Sequence, residues 1–430
     1  MKRDLHRLAD DVFDVAVIGG GILGAWVAWD ATLRGLSVVL IERGDFASGT
    51  SSNSLKVIHG GLRYLQSGDV KRMRESIYER SVLMRVAPHL VHPLPVTIPL
   101  YGHGIRGPEG MRAALAITDC IGMDRNRGLD SGHCLPRGRI LSRDECLKRL
   151  PDIVADDLTG GAVWYDAQLY DSERLVLAVL QSAASAGAIA ANYVEATDLM
   201  MRSGRVGGVH ALDRLTNSEL SVQARVVVNA AGPWAAQFSS RHGAVESARR
   251  FRLSKAFNLA VPQIFSDTAV GFPSKAAHGR RGRMFFATPW RDLTLIGTAH
   301  LPYDGDPDRF TITESEIGEF VDDFNAAYPA ARIDRQDVVY VHTGLLPAIS
   351  PSTIGDEVQV AEHPLVLRDG RRGGPEGLIT VTNVKYTTSR KVASQTVDAV
   401  AAELASGLSK SKTDSLPVYG GDIHDNDACI

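Results

Sequence analysis

Three glycines and an acid are the first residues whose types and spacing could do chemistry: Gly19-x-Gly21-x-x-Gly24, followed by Glu42. Glycines so spaced let backbone approach a pyrophosphate at a helix N-terminus, and a later acid accepts hydrogen bonds from a ribose. An acid there also argues against NADP. The run Thr50-Ser51-Ser52-Asn53-Ser54 offers hydroxyls and amides as a second wall for the same pyrophosphate. Four titratable side chains stand out as well: His59, Arg63, His300 and Lys385. A histidine can take a hydroxyl proton, while arginine and lysine can hold an anion. Plainer roles compete: packing for His59, a hydrogen-bonded loop histidine for His300, and a brace for the Ser51–Ser54 loop for Arg63.

Elements must position these groups. Val12 to Ile18 is a β-branched run ending in glycine and reads as a buried parallel strand. Ile22 to Arg34 reads as a helix closed by Gly35, and Leu36 to Ile41 as a second buried strand. In this βαβ setting the glycine triplet, weak alone, becomes a dinucleotide fingerprint. A polar loop from Gly44 to Gly61 follows where a nicotinamide enzyme would repeat the βαβ unit, which favours FAD. Asn229–Gly232 and Asn383–Thr387 read as late strand ends returning to the same cofactor. The start of a final helix, Thr387 to Leu404, and the Lys385 ammonium would offset negative charge on the reduced ring.

Helices are further expected at Val70–Val86, Ser172–Ala186 with Ser172 as N-cap, and Thr313–Tyr328. Strands are expected at Arg205–Asp213 and Glu219–Val228 as a meander, and at Leu259–Pro262, Arg283–Thr288, Thr294–Thr298 and Leu378–Thr382. Val91 to Gly161 is Gly/Pro-punctuated and reads as mixed insertions. The fold class is α/β with an α+β second domain: a Rossmann-like FAD-binding domain and an interleaved antiparallel-sheet substrate domain. Residues 12–95, 160–250 and 350–405 are assigned to the first and 96–159 and 251–349 to the second. Residues 406–430 form a tail expected to be poorly ordered.

The chain has 430 residues, 44% hydrophobic and 23% charged, with a net charge of −3. That is a globular composition without bulk attraction for nucleic acid or an anionic membrane. Its length suits two associated domains. Cys120, Cys134, Cys146 and Cys429 form no Cys-x-x-Cys and have no histidines at metal-ligand spacing, so no metal site is expected. The polar N-terminus and the lack of a long apolar run point to a cytoplasmic protein and disfavour membrane association without deciding it. Its partners would be a small-molecule substrate and an electron acceptor (quinone, oxygen or other), and a homo-oligomer is compatible with the composition.

The string Ser51-Ser52-Asn53-Ser54-Leu55-Lys56-Val57-Ile58-His59-Gly60-Gly61-Leu62-Arg63-Tyr64-Leu65 resembles FAD-dependent glycerol-3-phosphate dehydrogenases of the glycine/D-amino-acid oxidase-like superfamily. Ala87-Pro88-His89-Leu90, Val228-Asn229-Ala230-Ala231-Gly232-Pro233-Trp234, Ile296-Gly297-Thr298, Gly305-Asp306-Pro307, Thr343-Gly344 and Lys385-Tyr386-Thr387-Thr388-Ser389-Arg390-Lys391 follow in family order. The resemblance implies that FAD is lined by Gly19, Gly21, Ile22, Leu23, Gly24, Glu42, Arg43, Thr50, Ser51, Ser52, Lys56, Ile58, His59, Gly61 and Leu62. It implies the same of Val194, Ala230, Gly232, Trp234, Gly344, Val384, Lys385, Tyr386 and Thr387. It further implies hydride transfer from a substrate C–H to the flavin. The family's C-terminal helical domain is expected to be absent.

The resemblance breaks at the substrate. Leu346 stands where the family carries an arginine that contacts substrate phosphate, and a second family arginine falls near Ala361-Glu362-His363. The family's Lys-Gly-Ser-His is Lys255-Ala256-Phe257-Asn258, its Thr-Thr-Asp is Thr298-Ala299-His300, and its Gly-Gly-Lys is Asn383-Val384-Lys385. A charge-assisted hydrogen bond to phosphate is worth roughly 1.5–3 kcal/mol. Losing two therefore costs roughly two to four decades in affinity. Arg63, Phe257, His300, Leu346 and Glu362 form the expected substrate set. The expected reaction is CH–OH oxidation of a polyol, sugar-like or phosphorylated molecule other than glycerol 3-phosphate. Leu346 and Glu362 also suit CH–NH oxidation of an amine or amino acid, and a flavin-binding subunit without turnover is the third reading.

Overall fold

The computed structural model describes residues 1–244, 252–274, 284–348, 358, 360–361 and 363–422. The chain alternates between two sheets. It starts the first with β1 (Val12–Ile18) and β2 (Val38–Ile41), then enters the second with β3 (Val57–Ile58), β4 (Val91–Tyr101), β5 (Arg139–Leu141) and β6 (Leu158–Leu169). It returns to the first with β7 (Ile189–Ala191), β8 (Val194–Arg202), β9 (Arg205–Asp213) and β10 (Ser218–Asn229). β11 (Arg252–Pro262), β12 (Ala269–Pro273), β13 (Met284–Trp290), β14 (Leu293–Tyr303) and β15 (Tyr340–Ala348) extend the second sheet. β16 (Leu365–Arg368) and β17 (Leu378–Thr382) complete the first. The helices in chain order are α1 (Leu5–Asp10), α2 (Ile22–Leu33), α3 (Val70–Val86), α4 (Pro108–Ile121), α5 (Arg143–Arg149), α6 (Ser172–Ser185), α7 (Ala235–Arg241), α8 (Glu314–Ala327) and α9 (Ser389–Leu404).

In the first sheet β17, β10, β1, β2 and β7 run parallel, with β16 antiparallel on the edge. Val15, Val17, Leu40, Val226 and Val228 are fully buried, which is why these strands read as unbroken apolar runs. The expected meander is β8–β9–β10, whose last strand continues into the parallel ladder beside β1. α2 packs between α6 and α9 on one face of this sheet. The second sheet runs β15-β11-β14-β13-β12-β4-β6-β3. α8 covers it, setting Phe320, Phe324 and Tyr328 against Phe257, Phe272 and Phe285.

Four expectations change. Val91 to Gly161 contains the long strand β4 and the start of a second, β6, and is not merely insertions. β4 escapes the usual pattern because Pro93, Pro95 and Pro99 interrupt it. β6 flanks it along its whole length, but β12 pairs only at Val96 and Thr97, so most of its second flank is free to carry proline. Residues 57–58, 91–95 and 160–169, assigned above to the cofactor domain, therefore stand in the second sheet's ladder. Asp171 rather than Ser172 occupies the N-cap of α6, and α9 starts at Ser389. The tail, expected to be loose, packs down as far as residue 422: Thr413 and Val418 are buried, and the Val418 amide donates to Val86 O at 2.8 Å. It lacks periodicity because side-chain hydrogen bonds hold it, such as Tyr78 Oη to Asp414 at 2.9 Å and Arg390 Nη1 to Thr413 Oγ1 at 3.1 Å.

Arg390 also makes a two-pronged pair with Glu79, at 2.9 and 2.5 Å, which ties α9 to α3 where both side chains are buried. Removing one partner strands the other charge, at a cost of about 3–5 kcal/mol. Glu79→Gln should lower the unfolding free energy by about that much in a urea titration. A loss below about 1 kcal/mol would show that the pair does not tie the helices together.

Candidate active site

The nucleotide end is built where β1 turns into α2. Gly19 has φ +106°, and a Cβ there would lie 2.6 Å from Ala230 O at the end of β10. At Gly24 it would lie 2.0 Å from Gly19 O, so the turn closes only with glycine at both positions. Gly21 is the N-cap of α2 and has no side chain to satisfy the first-turn amides of Ile22 and Leu23. Ser51 Oγ accepts the Ile22 N–H at 3.0 Å. Glu42, just past β2, accepts the Gly20 N–H at 2.7 Å and the Gly44 N–H at 2.8 Å. The Val194 N–H donates to Glu42 O at 2.8 Å, and the Ala230 N–H to Ile18 O at 2.9 Å, with Gly232 (φ +57°) following. Glycines where any side chain would intrude, beside a helix N-terminus whose own N-cap residue has no side chain, fit a dinucleotide pyrophosphate.

Arg43 lies 4.1 Å from the Trp234 ring, and both side chains donate to Asp308 Oδ1, at 2.6 and 2.9 Å. The Arg43 hydrogen bond holds the Asp308 carboxyl below its usual range. Asp308 follows β14, so it ties the second sheet to the nucleotide end. Nothing in the sequence marked it beyond its place after Gly305-Asp306-Pro307.

The Thr50–Ser54 loop is fastened at both ends. Thr50 Oγ1 donates to Leu345 O at 3.1 Å, and a Cβ on Gly344 would lie 2.9 Å from Thr50. Lys56 is buried, and its ammonium donates to Ser52 O at 2.7 Å, Ser172 Oγ at 2.8 Å and Glu173 Oε2 at 3.1 Å. Those acceptors use all three ammonium donors, so Lys56, expected to contact FAD, braces the loop against α6. Burial pulls its pKa below the usual lysine value, with Glu173 opposing. Ile58 is buried in β3.

At the reacting end, the β3–β6 pairing sets Ile58 opposite Ala167 and so brings His59 beside Asp166. His59 Nδ1 lies 3.2 Å from Asp166 Oδ2, while Oδ1 accepts the Gly60 N–H at 2.7 Å and Arg80 Nη1 at 2.8 Å. Burial pushes the Asp166 carboxyl up. The His59 hydrogen bond and charge, the Arg80 guanidinium and the Gly60 amide outweigh it and hold the carboxyl at about 2. The His59 side chain is 46% exposed, Asp166 7% and Arg80 5%. Only glycine fits at 60, where a Cβ would lie 2.2 Å from Arg80 Nη1. Asp166 and Arg80 escaped the sequence reading because His59 and Asp166 are 107 residues apart and share no local motif. The available signal was an acid inside the apolar run of β6.

Gly61 leads into a short 3-10 helix, Leu62–Ser67, that starts on Leu62 and carries Arg63, which is exposed, and Tyr64. Lys385 Nζ lies 4.0 Å from the Tyr64 ring centroid, and Arg72 lies 4.5 Å from the same ring. Burial, then repulsion from Arg63, lowers Lys385 to about 8. Its backbone is set by Asn383 Nδ2 and Ser389 Oγ, which donate to Lys385 O at 2.6 and 3.1 Å. Val384 is half-buried beside it. Tyr386 Oη donates to Ser172 O at 2.6 Å, and Thr387 is buried at the approach to α9.

Strand register sorts the substrate candidates. Leu346 pairs with Ser254, Gly344 and His300 with Ala256, and His342 with Asn258. Directly paired residues share a face, and Gly344 meets Thr50, so Leu346, His300, His342 and Asn258 are on the face toward the loop. Phe257, expected to touch substrate, is on the opposite face, buried 5.2 Å from Phe320 of α8. Asn258 is on the loop-facing side instead: its Nδ2 donates to Asn53 O at 3.3 Å, and its Oδ1 accepts Thr298 Oγ1 at 2.7 Å. Glu362 lies outside the described residues.

Residues 14–386 match the DAO family, described as FAD dependent oxidoreductase. The chain is 34% identical over 434 residues to the glycerol-3-phosphate dehydrogenase of Synechocystis sp., covering 98% of this chain and 76% of that one. It is 31% identical to the human mitochondrial glycerol-3-phosphate dehydrogenase, over 95% of its own length but 55% of that protein's. The glycerol-3-phosphate dehydrogenase of Bacillus halodurans, solved with FAD, has a TM-score of 0.72 at 28% identity, covering 96% of this chain and 69% of that one.

Proposed function

This chain belongs to the FAD dependent oxidoreductase family and is of the glycerol-3-phosphate dehydrogenase type; from that premise we propose that it oxidises a CH–OH group of a different small molecule, a polyol, sugar-like or phosphorylated compound. The observation that carries the reading is Leu346: an aliphatic side chain on the loop-facing side of β15, where the family places a phosphate-binding arginine.

Gly19, Gly21, Gly24 and the start of α2 hold the pyrophosphate, Glu42 the ribose, and Lys385 to Thr387 the ring end. Bound FAD supplies the two-electron acceptor for the hydride that leaves the substrate carbon. The hydroxyl proton goes to His59 Nε2, since Nδ1 is the ring nitrogen that lies 3.2 Å from the anionic Asp166. The hydride carries both electrons of the C–H bond, the proton stays on His59, and a carbonyl is left. Arg63 and Lys385 hold positive charge at this end, which suits an anionic or hydroxylated substrate better than a cationic amine. Among the described residues no helix is long and apolar enough to cross a membrane. We place the enzyme in the cytoplasm, passing electrons to a quinone, oxygen or another acceptor.

The test is anaerobic bleaching of the holoenzyme with one panel of hydroxylated compounds and one of amines. Bleaching by hydroxylated compounds is expected; bleaching confined to amines would overturn the reading. The lowered Lys385 gives a second expectation. Its ammonium is present below pH about 8 and lost above, so kcat/KM for an anionic substrate should fall as pH rises through about 8. Lys385→Arg keeps the charge and should remove that limb. A limb still near 8 in the variant would assign it to another group.

A further inference from the structure

We propose that Asp166 and Arg80 are positioning residues that fix the tautomer of His59, holding its proton on Nδ1 and presenting a bare Nε2 to the substrate hydroxyl. This rests on the reading of His59 as the proton acceptor. The geometry is specific in how the carboxylate is divided. Asp166 Oδ1 is saturated by the Gly60 amide and Arg80 Nη1, so it cannot rotate toward the ring, and Oδ2 alone faces His59 Nδ1. Arg80 Nη1 is itself held by Tyr165 O at 2.8 Å. The three groups come from three elements: the end of β3, the middle of β6 and α3.

The charges facing Asp166 are His59 and Arg80, and Arg125 repels Arg80 from outside. A buried carboxylate kept anionic can only accept, so the shared proton must stand on the imidazole. Once His59 takes a second proton, the same carboxylate faces the imidazolium with its opposite charge. The exposure gradient fits this division: the ring that meets substrate is half exposed, and the pair behind it is buried.

Asp166→Asn tests the idea with little change of shape. The amide oxygen stays with Gly60 and Arg80, and the amide N–H turns toward His59 Nδ1. That forces the other tautomer and puts a proton on Nε2. The rate of anaerobic flavin reduction at saturating substrate should fall about 10²-fold or more, the scale of general-base catalysis, with KM and FAD content kept.

Asp166→Asn leaves the Arg80 guanidinium buried and unpaired, so the double variant Asp166→Asn/Arg80→Gln removes both charges together. If the pair only supports the fold, the double variant regains the unmodified rate; if it positions His59, the rate stays low. A reading that needs no variant of the pair comes from ¹⁵N-histidine spectra of the holoenzyme at neutral pH, with His59 assigned by its loss in His59→Gln. A protonated Nδ1 and bare Nε2 are expected, and the reverse tautomer overturns the inference. His59→Gln separates the two layers. Full flavin reduction in that variant overturns the proton-acceptor reading itself. Slow reduction there with unmodified rates in both Asp166 variants overturns the positioning role alone.

Discussion

Gly24→Ala should yield protein without flavin. A single methyl group at this position would lie 2.0 Å from Gly19 O and 3.4 Å from Val17 Cγ1, and the obstacle is backbone, which cannot rotate away. Relief requires α2 to lift off the turn, carrying its first-turn amides away from the pyrophosphate they should cradle. Overpacking of this kind costs about 1–3 kcal/mol before any ligand contact is lost. With the amides displaced, FAD affinity should fall about 100-fold or more. The measurement is the 450 nm to 280 nm absorbance ratio after gel filtration. Gly318→Ala is the control, because a Cβ there meets nothing within 4 Å and the site is in the middle of α8. It should keep full flavin and gain up to about 1 kcal/mol of stability. A Gly24→Ala protein as yellow as the control would show that the turn does not shape the cofactor site.

Leu346→Arg should create activity rather than remove it. Leu346 is on the loop-facing row with Gly344 and His300, opposite Ser254 across β11, and is half-buried. A guanidinium there can reach an anion already drawn by Arg63 and Lys385, and one charge-assisted hydrogen bond contributes about 1.5–3 kcal/mol. The efficiency of flavin reduction by glycerol 3-phosphate should therefore rise about ten- to a hundred-fold. Leu346→Met, nearly equal in volume, should leave it unchanged. If the arginine variant gains nothing, residue 346 does not set this specificity.

The parts legible in the sequence were local ones. The β1–α2–β2 unit, its glycines and Glu42 announce themselves within about thirty residues, because a pyrophosphate turn needs those residue types at fixed offsets. α3, Val70–Val86, was read to the residue, since a polar start, an apolar stripe and Pro88 mark both ends. What was hidden depends on pairing between distant segments. β4 hides behind its prolines, and Asp166 acquires meaning only when β6 is set against β3. Phe257 stands in the expected substrate set and Asn258 does not, because composition cannot say which side of β11 faces the site. Period two makes the answer all or nothing, and α8 decides it by burying Phe257. Lys56 looked like a cofactor contact from its place in the motif, yet its three acceptors include Ser172 and Glu173 from α6. The packed tail carried no signal at all: isolated hydrogen bonds without period hold it to α3 and α9, from the side chains of Tyr78 and Arg390 and from the Val418 amide.

Under the proposed function a retained cofactor shell surrounds a rewritten substrate shell, and one measurement bears on both. Unmodified holoenzyme is mixed anaerobically with glycerol 3-phosphate, and with the hydroxylated panel, while flavin absorbance is followed by stopped flow. The account predicts a yellow protein that some other hydroxylated compound bleaches at least about ten-fold more efficiently than glycerol 3-phosphate, the worth of roughly one lost phosphate contact. Bleaching by glycerol 3-phosphate that outpaces every other member of the panel would contradict it.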